Sequence, residues 1–383
     1  MKISLKIIFF FLLTILLNPQ IIHAKEKIKI GLLIPLSGNN SNIGKSILQS
    51  SRLAINKIEN PNIEILPKDT KNDPVETLNA AKDLKSKGVK IVIGPVFNNN
   101  LLHLDELSDM IFLSLTNKNI KNPKNVISAG INASSQIKTI MKFKKMNNIN
   151  KTIFLIPNNS FKDEIENAIS NSKIKLKHIH IYETNPTKLT QQIEKITMYK
   201  IRKQNVLDEI KRLENSDEKN KERKIKNLEK RDTLGGINFD SIIVSDFDES
   251  LKSVLTSFLY TDVSPKRVHY ISLNQWFDES LLKEKSLQPI YFPSINKKNF
   301  DNFIYEYNDV YDEYPNQISF LSYDLMGLVY YLIFKNNFEI DENIFYKKNK
   351  FKGKIGIFEI NKNRINHILN FYKVENSQFK KIF

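Results

Sequence analysis

The segment SGNNSNIGKS, residues 37–46, carries the residue types of a phosphate-binding loop: two glycines, a lysine and hydroxyl side chains. Such a loop reads G-x-x-x-x-G-K-[ST] between a strand and a helix, because backbone N–H groups and the lysine must close around phosphates. Here five residues, Asn39 to Ile43, separate Gly38 from Gly44, so the spacing is one residue too long. His178 and His180 in KLKHIHIYE fall on one face of a strand, and a His-x-His pair ligates zinc when a third ligand joins it; none is evident nearby. Asp246, Asp248 and Glu249 form an acidic cluster, but acid–base work needs a pair spaced around a substrate, and a turn at the end of a strand explains these three more simply. No G-x-S-x-G nucleophile elbow occurs. The expectation is binding without catalysis, metal or cofactor.

The compartment is indicated by the first residues, MKISLKIIFFFLLTILLNPQIIHAKEK. Lys2 and Lys6 form a positive start, Ile7 to Leu17 an apolar run, and Ile22-His23-Ala24 a small-residue cleavage site, the layout of a secretory signal peptide over 1–24. The apolar run is shorter than the ~20 residues needed to span a bilayer. The chain has no cysteine, which excludes disulfides, thiolate zinc sites and a lipid-anchor cysteine. A free periplasmic protein is therefore expected. Its net charge of +16 falls to +14 without the leader and is spread over the chain rather than clustered, which argues against a nucleic-acid partner.

The elements that must position any site alternate between strand and helix. KIKIGLLIPL reads as a buried strand, and Ile47, Ser51, Ala54, Ile55 and Ile58 then share one helical face. NIEILP, VKIVIGPV and MIFLSL are further strands. Between them, DPVETLNAAKDLKSKG has Pro74 in its first turn and Gly88 at its end, and LLHLDELSDM is a second expected helix. KTIFLIP, KLKHIHIYE, FDSIIVSD and RVHYISL repeat the pattern, with SFKDEIENAIS a helix capped by Ser160 with Asp163 three residues on. QISFLSYDLMGLVYYLIF is an apolar helix, and GKIGIFEI and HILNFYKV are closing strands. Alternation of this kind gives an α/β protein with mostly parallel sheets, here in two lobes.

One stretch breaks the rhythm. Residues 198–236 contain thin apolar stripes, at Leu207, Ile210 and Leu213 and again at Ile225 and Leu228, among many charges. They read as a charged helical hairpin, supported by the i,i+4 pairs Asp208–Arg212 and Glu222–Lys226 and broken at Asn215-Ser216-Asp217.

The order "IKIGLLIPLSG…IGKSILQSSRLAINKI", "DPVETLNAAKDLKSKGVKIVIGPV" and "SAGINASSQ" resembles the type I periplasmic binding proteins of the Leu/Ile/Val-binding group. The resemblance implies a two-lobed clamshell with a ligand cleft between the lobes. Lobe 1 would comprise 25–130 and 274–349 and lobe 2 131–273 and 350–383, with crossings near Gly130, Asn274 and Lys350. It places Ser37 at the cleft mouth, where Gly44-Lys45-Ser46 simply begins a helix, and implies cleft roles for Asn98, Asn117, Asn119, Phe161 and Phe247 beside Asp246. Trp276 would sit at the hinge, able to stack on a ligand. Asn274 stands where the group often has the acid that pairs a ligand ammonium, and an amide there forfeits a charge-assisted bond about twice as strong as a neutral one.

The hairpin before "GGINFDSIIVSD", with "YTDVSPKRVHYISLNQWFDESLLKE" and "FLSYDLMGLVYYL", is similar to a narrower subgroup, the penicillin-binding protein activators. This implies a non-catalytic regulator touching a peptidoglycan synthase through a surface that includes Lys219, Lys221, Arg223 and Lys224. The alternative is the substrate-binding subunit of an ABC importer, taking an amino acid or related small polar solute in the cleft and docking on the membrane complex.

Overall fold

The computed structural model describes residues 27–273 and 276–383. The expected leader at 1–24 and the candidate Asn274 lie outside them. The chain first builds β1 (Ile28–Ile34), α1 (Ser41–Ile58), β2 (Ile63–Asp69), α2 (Pro74–Ser86), β3 (Ile91–Ile93), β4 (Ile111–Ser114) and β5 (Val126–Ser128). It continues with α3 (Ala133–Met146), β6 (Thr152–Pro157), α4 (Lys162–Ser172), β7 (His178–Tyr182), α5 (Pro186–Ile196), α6 (Tyr199–Glu214), α7 (Lys221–Leu228), β8 (Ser241–Val244), α8 (Asp248–Tyr260), β9 (His269–Ser272) and β10 (Ile290–Ser294). Then come α9 (Lys297–Tyr311), α10 (Ser319–Lys335), β11 (Asn349–Lys352), β12 (Ile357–Asn361), β13 (Arg364–Ile368), β14 (Asn370–Glu375) and β15 (Gln378–Lys381).

Two sheets result. The first has the order β11-β12-β13-β5-β4-β3-β1-β2 and the second β15-β14-β10-β9-β8-β6-β7. Each is parallel through its middle and closes on antiparallel strands contributed by the last part of the chain. Buried parallel strands are apolar on both faces, and β6 is an example. Its Ile153 and Leu155 join the cluster containing α8, while Phe154 and Ile156 join the one formed with α3 and α4. This is an α/β fold of two lobes, each a mixed, mainly parallel sheet flanked by helices. Among the described residues no helix is long and apolar enough to cross a membrane.

The lobes exchange chain at different places from those expected. β10 lies in the second sheet and β11–β13 lie in the first, so 274–349 is not one lobe-1 segment and 350–383 is not one lobe-2 segment. The chain returns to lobe 1 between Ser294 and α9, and leaves it again at Leu369, between β13 and β14. A short apolar strand fits either sheet equally well; which neighbour it pairs with is a long-range choice that its own residues do not encode.

Two local expectations also change. LLHLDELSDM forms a short 3-10 piece at Leu104–Leu107, just after another at Asn98–Leu101, rather than an α-helix. α4 begins after Phe161, not Ser160, because the Asn159 side chain accepts the Phe161 N–H at 2.9 Å and turns the chain first. By contrast, α2 starts as its residues dictate: Asp73 accepts the N–H groups of Val75 and Glu76 at 2.8 and 2.9 Å, with Pro74 in the first turn.

Candidate functional site

The residues that resemble a phosphate loop all have structural tasks. A Cβ on Gly44 would lie 1.8 Å from the Pro35 carbonyl oxygen, so glycine is there to let α1 meet the end of β1. Lys45 pairs with Glu313 at 2.5 Å, and the Ser46 hydroxyl accepts the Asn316 N–H at 3.1 Å. Ser37 does not line the interlobe pocket; it bonds Asp69. Burial opposes charge on Asp69, yet hydrogen bonds from Ser37, Lys71 and Leu36 outweigh it and hold the carboxyl below its usual range.

A cleft of about 420 Å³ lies between the lobes. Lobe 1 supplies Phe97 and Asn98 from the turn after β3, and Thr116 and Asn117 from the turn after β4; Phe161 comes from the start of α4 and Trp276 from the segment after β9. The loop after β4 is held by Asn122, which donates to the Lys118 carbonyl at 2.8 Å and to the Ser128 hydroxyl at 2.6 Å. Asn98 in turn donates to the Asn122 side chain at 3.1 Å, which orients its amide in the wall. Trp276 is partly buried, with its ring 6.0 Å from that of Phe300. The wall is thus made of amides, hydroxyls and aromatic faces. Among the described residues no carboxylate lines it, and its one cation is Lys118.

Three expected cleft residues are elsewhere. Asp246 is buried; its carboxylate accepts the Tyr182 hydroxyl at 2.5 Å and the Phe247 N–H at 3.0 Å. Burial raises its affinity for a proton, and the Tyr182 bond opposes that. Asp246 and Phe247 therefore shape the end of β8 and do not form cleft wall. Asn119 joins the lobes instead: its N–H donates to Glu164 of α4 at 2.9 Å and that of Ile120 at 3.2 Å, while its amide donates to the same carboxylate at 3.4 Å. Beside it, Lys118 donates to the Ser160 carbonyl at 3.2 Å and sits 4.7 Å from the centre of the Phe161 ring. Glu164, only 5% exposed, carries no mark in the sequence beyond being an acid in a first helical turn. His178 and His180 have ring centres 5.9 Å apart, and among the described residues no group of three or more potential metal ligands occurs.

The hairpin is built from α6 and α7 around a small core of its own: Val206, Leu213 and Leu228, with Ile210, Ile225 and Leu234 packed on it. Its base is fixed by Arg202, 2% exposed, which donates to the Thr261 carbonyl at 3.0 Å, the Asp262 carbonyl at 3.3 Å and the Thr233 hydroxyl at 2.6 Å. Nothing in the charged run around Arg202 marks it as the buried one. Arg212 pairs with Glu209 and Glu218 rather than with Asp208, which instead accepts from Gln204.

The four cations expected to face a partner divide into two kinds. Lys221 donates to the carbonyls of Glu214 and Ser216 at the end of α6, and Lys224 pairs with Glu218 at 2.5 Å; both therefore hold the hairpin turn together. Lys219 and Arg223 are exposed and form no ion pair among the described residues.

Residues 27–194 match a family model described as periplasmic binding protein. No curated protein matches the chain. Among solved structures, a putative branched-chain amino acid ABC transporter from Rhodospirillum rubrum is similar with a TM-score of 0.70 at 13% identity, covering 93% of this chain and 100% of that one. LivJ, the branched-chain amino acid transporter substrate-binding protein from Streptococcus pneumoniae, in complex with isoleucine, gives 0.57 at 17% identity, with 93% and 98% covered. The C-domain of LpoA (YraM) from Haemophilus influenzae, a regulator of PBP1A, gives 0.58 at 15% identity, with 93% and 100% covered. What this chain shares with all three is the two-lobed fold of the type I periplasmic binding proteins.

Proposed function

We propose that this chain is a non-catalytic binding protein of the periplasm, exported by the leader at 1–24, that regulates peptidoglycan synthesis by contact with a synthase. The observation that carries this reading is the hairpin. It has its own core, it is locked to lobe 2 through buried Arg202, and it presents Lys219 and Arg223 outward without internal partners. A rigid element with unpaired outer cations suits a protein surface of opposite charge. The cleft supports the same reading, because the described wall offers no carboxylate to pair the ammonium of a free amino acid. A regulator of PBP1A stands among the proteins of similar fold.

The test is binding and stimulation of a purified peptidoglycan synthase by wild type and by the double variant Lys219→Glu/Arg223→Glu. The variant should bind at least about tenfold more weakly, a loss of about 1.4 kcal/mol, with thermal unfolding unchanged. Binding and stimulation equal to wild type would remove the hairpin from the mechanism.

The second reading, a solute receptor for an ABC importer, is favoured by the interlobe cleft and its wall of Asn98, Asn117, Phe161 and Trp276. It requires that some small polar solute stabilise the protein; a ligand at 100 times its Kd contributes about 2.7 kcal/mol. A panel of amino acids and short peptides read by thermal unfolding separates the two.

A further inference from the structure

A second cavity, of about 440 Å³, lies within lobe 1 between α10, the end of α1 and the β11–β12 hairpin, and shares no residue with the cleft. Its floor is one stripe of α10. Tyr323, Gly327 and Tyr331 follow one another at four-residue spacing, so two tyrosines flank a glycine on the same helical face. Phe351 and Phe358 form the opposite wall, with Phe351 edge-on to Tyr331 at 5.6 Å between ring centres.

Gly327 is the informative residue. It sits in the middle of a 17-residue helix, where glycine is less stable than alanine. Neither sterics nor backbone conformation asks for it: a Cβ there would meet nothing within 4 Å, and its φ is not in the left-handed region. What its missing side chain does is leave room in the cavity between Tyr323 and Tyr331, with Tyr331 47% exposed.

The charge left unpaired at the slot is a lysine. Lys57, Lys350 and Lys352 line the slot. Lys57 is paired with Glu306 and Lys350 with Glu359 at 3.7 Å, both in exposed pairs, while Lys352 has no ion pair among the described residues. Among the described residues the one carboxylate in the wall, Asp324, is turned inward, accepting the Lys354 N–H at 2.8 Å and the Ile355 N–H at 2.7 Å. A slot walled by aromatic side chains, with Lys352 unpaired at its rim and Asp324 turned inward, complements a planar ring bearing a negative charge.

We infer that this cavity is a ligand site for a small planar aromatic carboxylate, its ring lying over Gly327 between Tyr323 and Tyr331 and its carboxylate meeting Lys352. The site is independent of the proposed contact with a synthase.

The experiment titrates 2-naphthoate into the full chain by calorimetry, with 2-naphthylmethylammonium as the opposite-charge control. Wild type should bind one naphthoate saturably and the cation at least tenfold more weakly. Gly327→Leu fills the slot and should reduce naphthoate affinity at least tenfold without lowering the unfolding temperature, since leucine favours a helix over glycine. Lys352→Glu should also weaken binding, whereas Phe161→Ala, in the cleft, should leave it intact. Absence of saturable binding by wild type, equal affinity for the cation, an unchanged affinity in Gly327→Leu, or loss of binding in Phe161→Ala would each overturn the assignment.

Discussion

His367 on β13 holds together the place where the chain passes between lobes. Its ring is buried, its Nε2–H donates to the Ala129 carbonyl at 2.9 Å, and its backbone N–H donates to the Ser135 hydroxyl at 2.9 Å. The carbonyl can only accept, so Nε2 carries the proton and Nδ1 is left without a partner. Burial pulls its pKa down to about 4, against the Ala129 bond. In the unfolded chain the ring titrates near 6.5. As pH falls from 6.5 towards 4 the unfolded state takes up a proton that the folded state refuses, so stability falls by up to about 3 kcal/mol. Asp324 acts with the opposite sign. Burial, only partly offset by two backbone N–H bonds, pushes its carboxyl up to about 6, so its contribution is lost as pH rises from 3.8 to 6. The two oppose one another over the same window. Thermal unfolding of His367→Gln at pH 7.5, 5.5 and 4.5 should therefore show a deficit against wild type that shrinks as pH falls, and Asp324→Asn should show one that grows. A pH-independent deficit in His367→Gln would contradict a buried neutral ring. Neither residue carries a mark in the sequence: HILNFYKV and SYDLMGL give the strand and the helix, but burial of one histidine or one aspartate follows from what packs above it.

At the scale of elements, the hairpin was legible and its anchor was not. The break near Asn215 and the stripe residues Ile210, Leu213, Ile225 and Leu228 give two helices at Tyr199–Glu214 and Lys221–Leu228, but Leu207 is exposed and Val206 takes its place in the core. Arg202, however, lies among lysines and glutamines that are exposed, and only the neighbouring turn at Thr261–Asp262 makes it the buried one. Arg202→Ala leaves the buried Thr261 carbonyl without that donor, at about 1–3 kcal/mol, and removes the bonds to the half-buried Asp262 carbonyl and the Thr233 hydroxyl. The expected outcome is local: backbone amides across 199–234 exchange faster with solvent, while those of β6 and β8 keep their protection. Uniformly accelerated exchange would mean that the hairpin is integral to lobe 2 rather than docked on it. Short helices were the weaker readings. LLHLDELSDM has helical spacing, yet settles as a 3-10 turn at Leu104–Leu107.

For the whole molecule the question is what closes the lobes. Glu164 of α4 bridges them by accepting the N–H groups of Asn119 and Ile120 from the loop of lobe 1, so the lobes have a contact of their own that requires no ligand. Hydrogen bonds to a charged group are worth ~1.5–3 kcal/mol each. Removing them in Glu164→Ala should shift the balance toward open forms at least about tenfold. Small-angle scattering should record a larger radius of gyration than for wild type, with cooperative unfolding retained. An unchanged radius would show that hinge packing alone holds the lobes.

The sequence by itself determined the class of fold, because strands buried on both faces must be continuous apolar runs and the helices between them must repeat near 3.6 residues; KTIFLIP and DPVETLNAAKDLKSKG admit little else. It also showed SGNNSNIGKS to miss the spacing of a phosphate loop by one residue, and the structure gives Gly44, Lys45 and Ser46 other tasks. Only the tertiary structure decided that β10 belongs to the second sheet and β11–β13 to the first, that Asp246 turns away from the cleft toward Tyr182, and that Asn119 meets Glu164 across it. Each of those outcomes depends on which distant segment comes to lie alongside. Strand pairing and side-chain partnership are set by packing over long sequence separations, where local residue preferences are nearly degenerate.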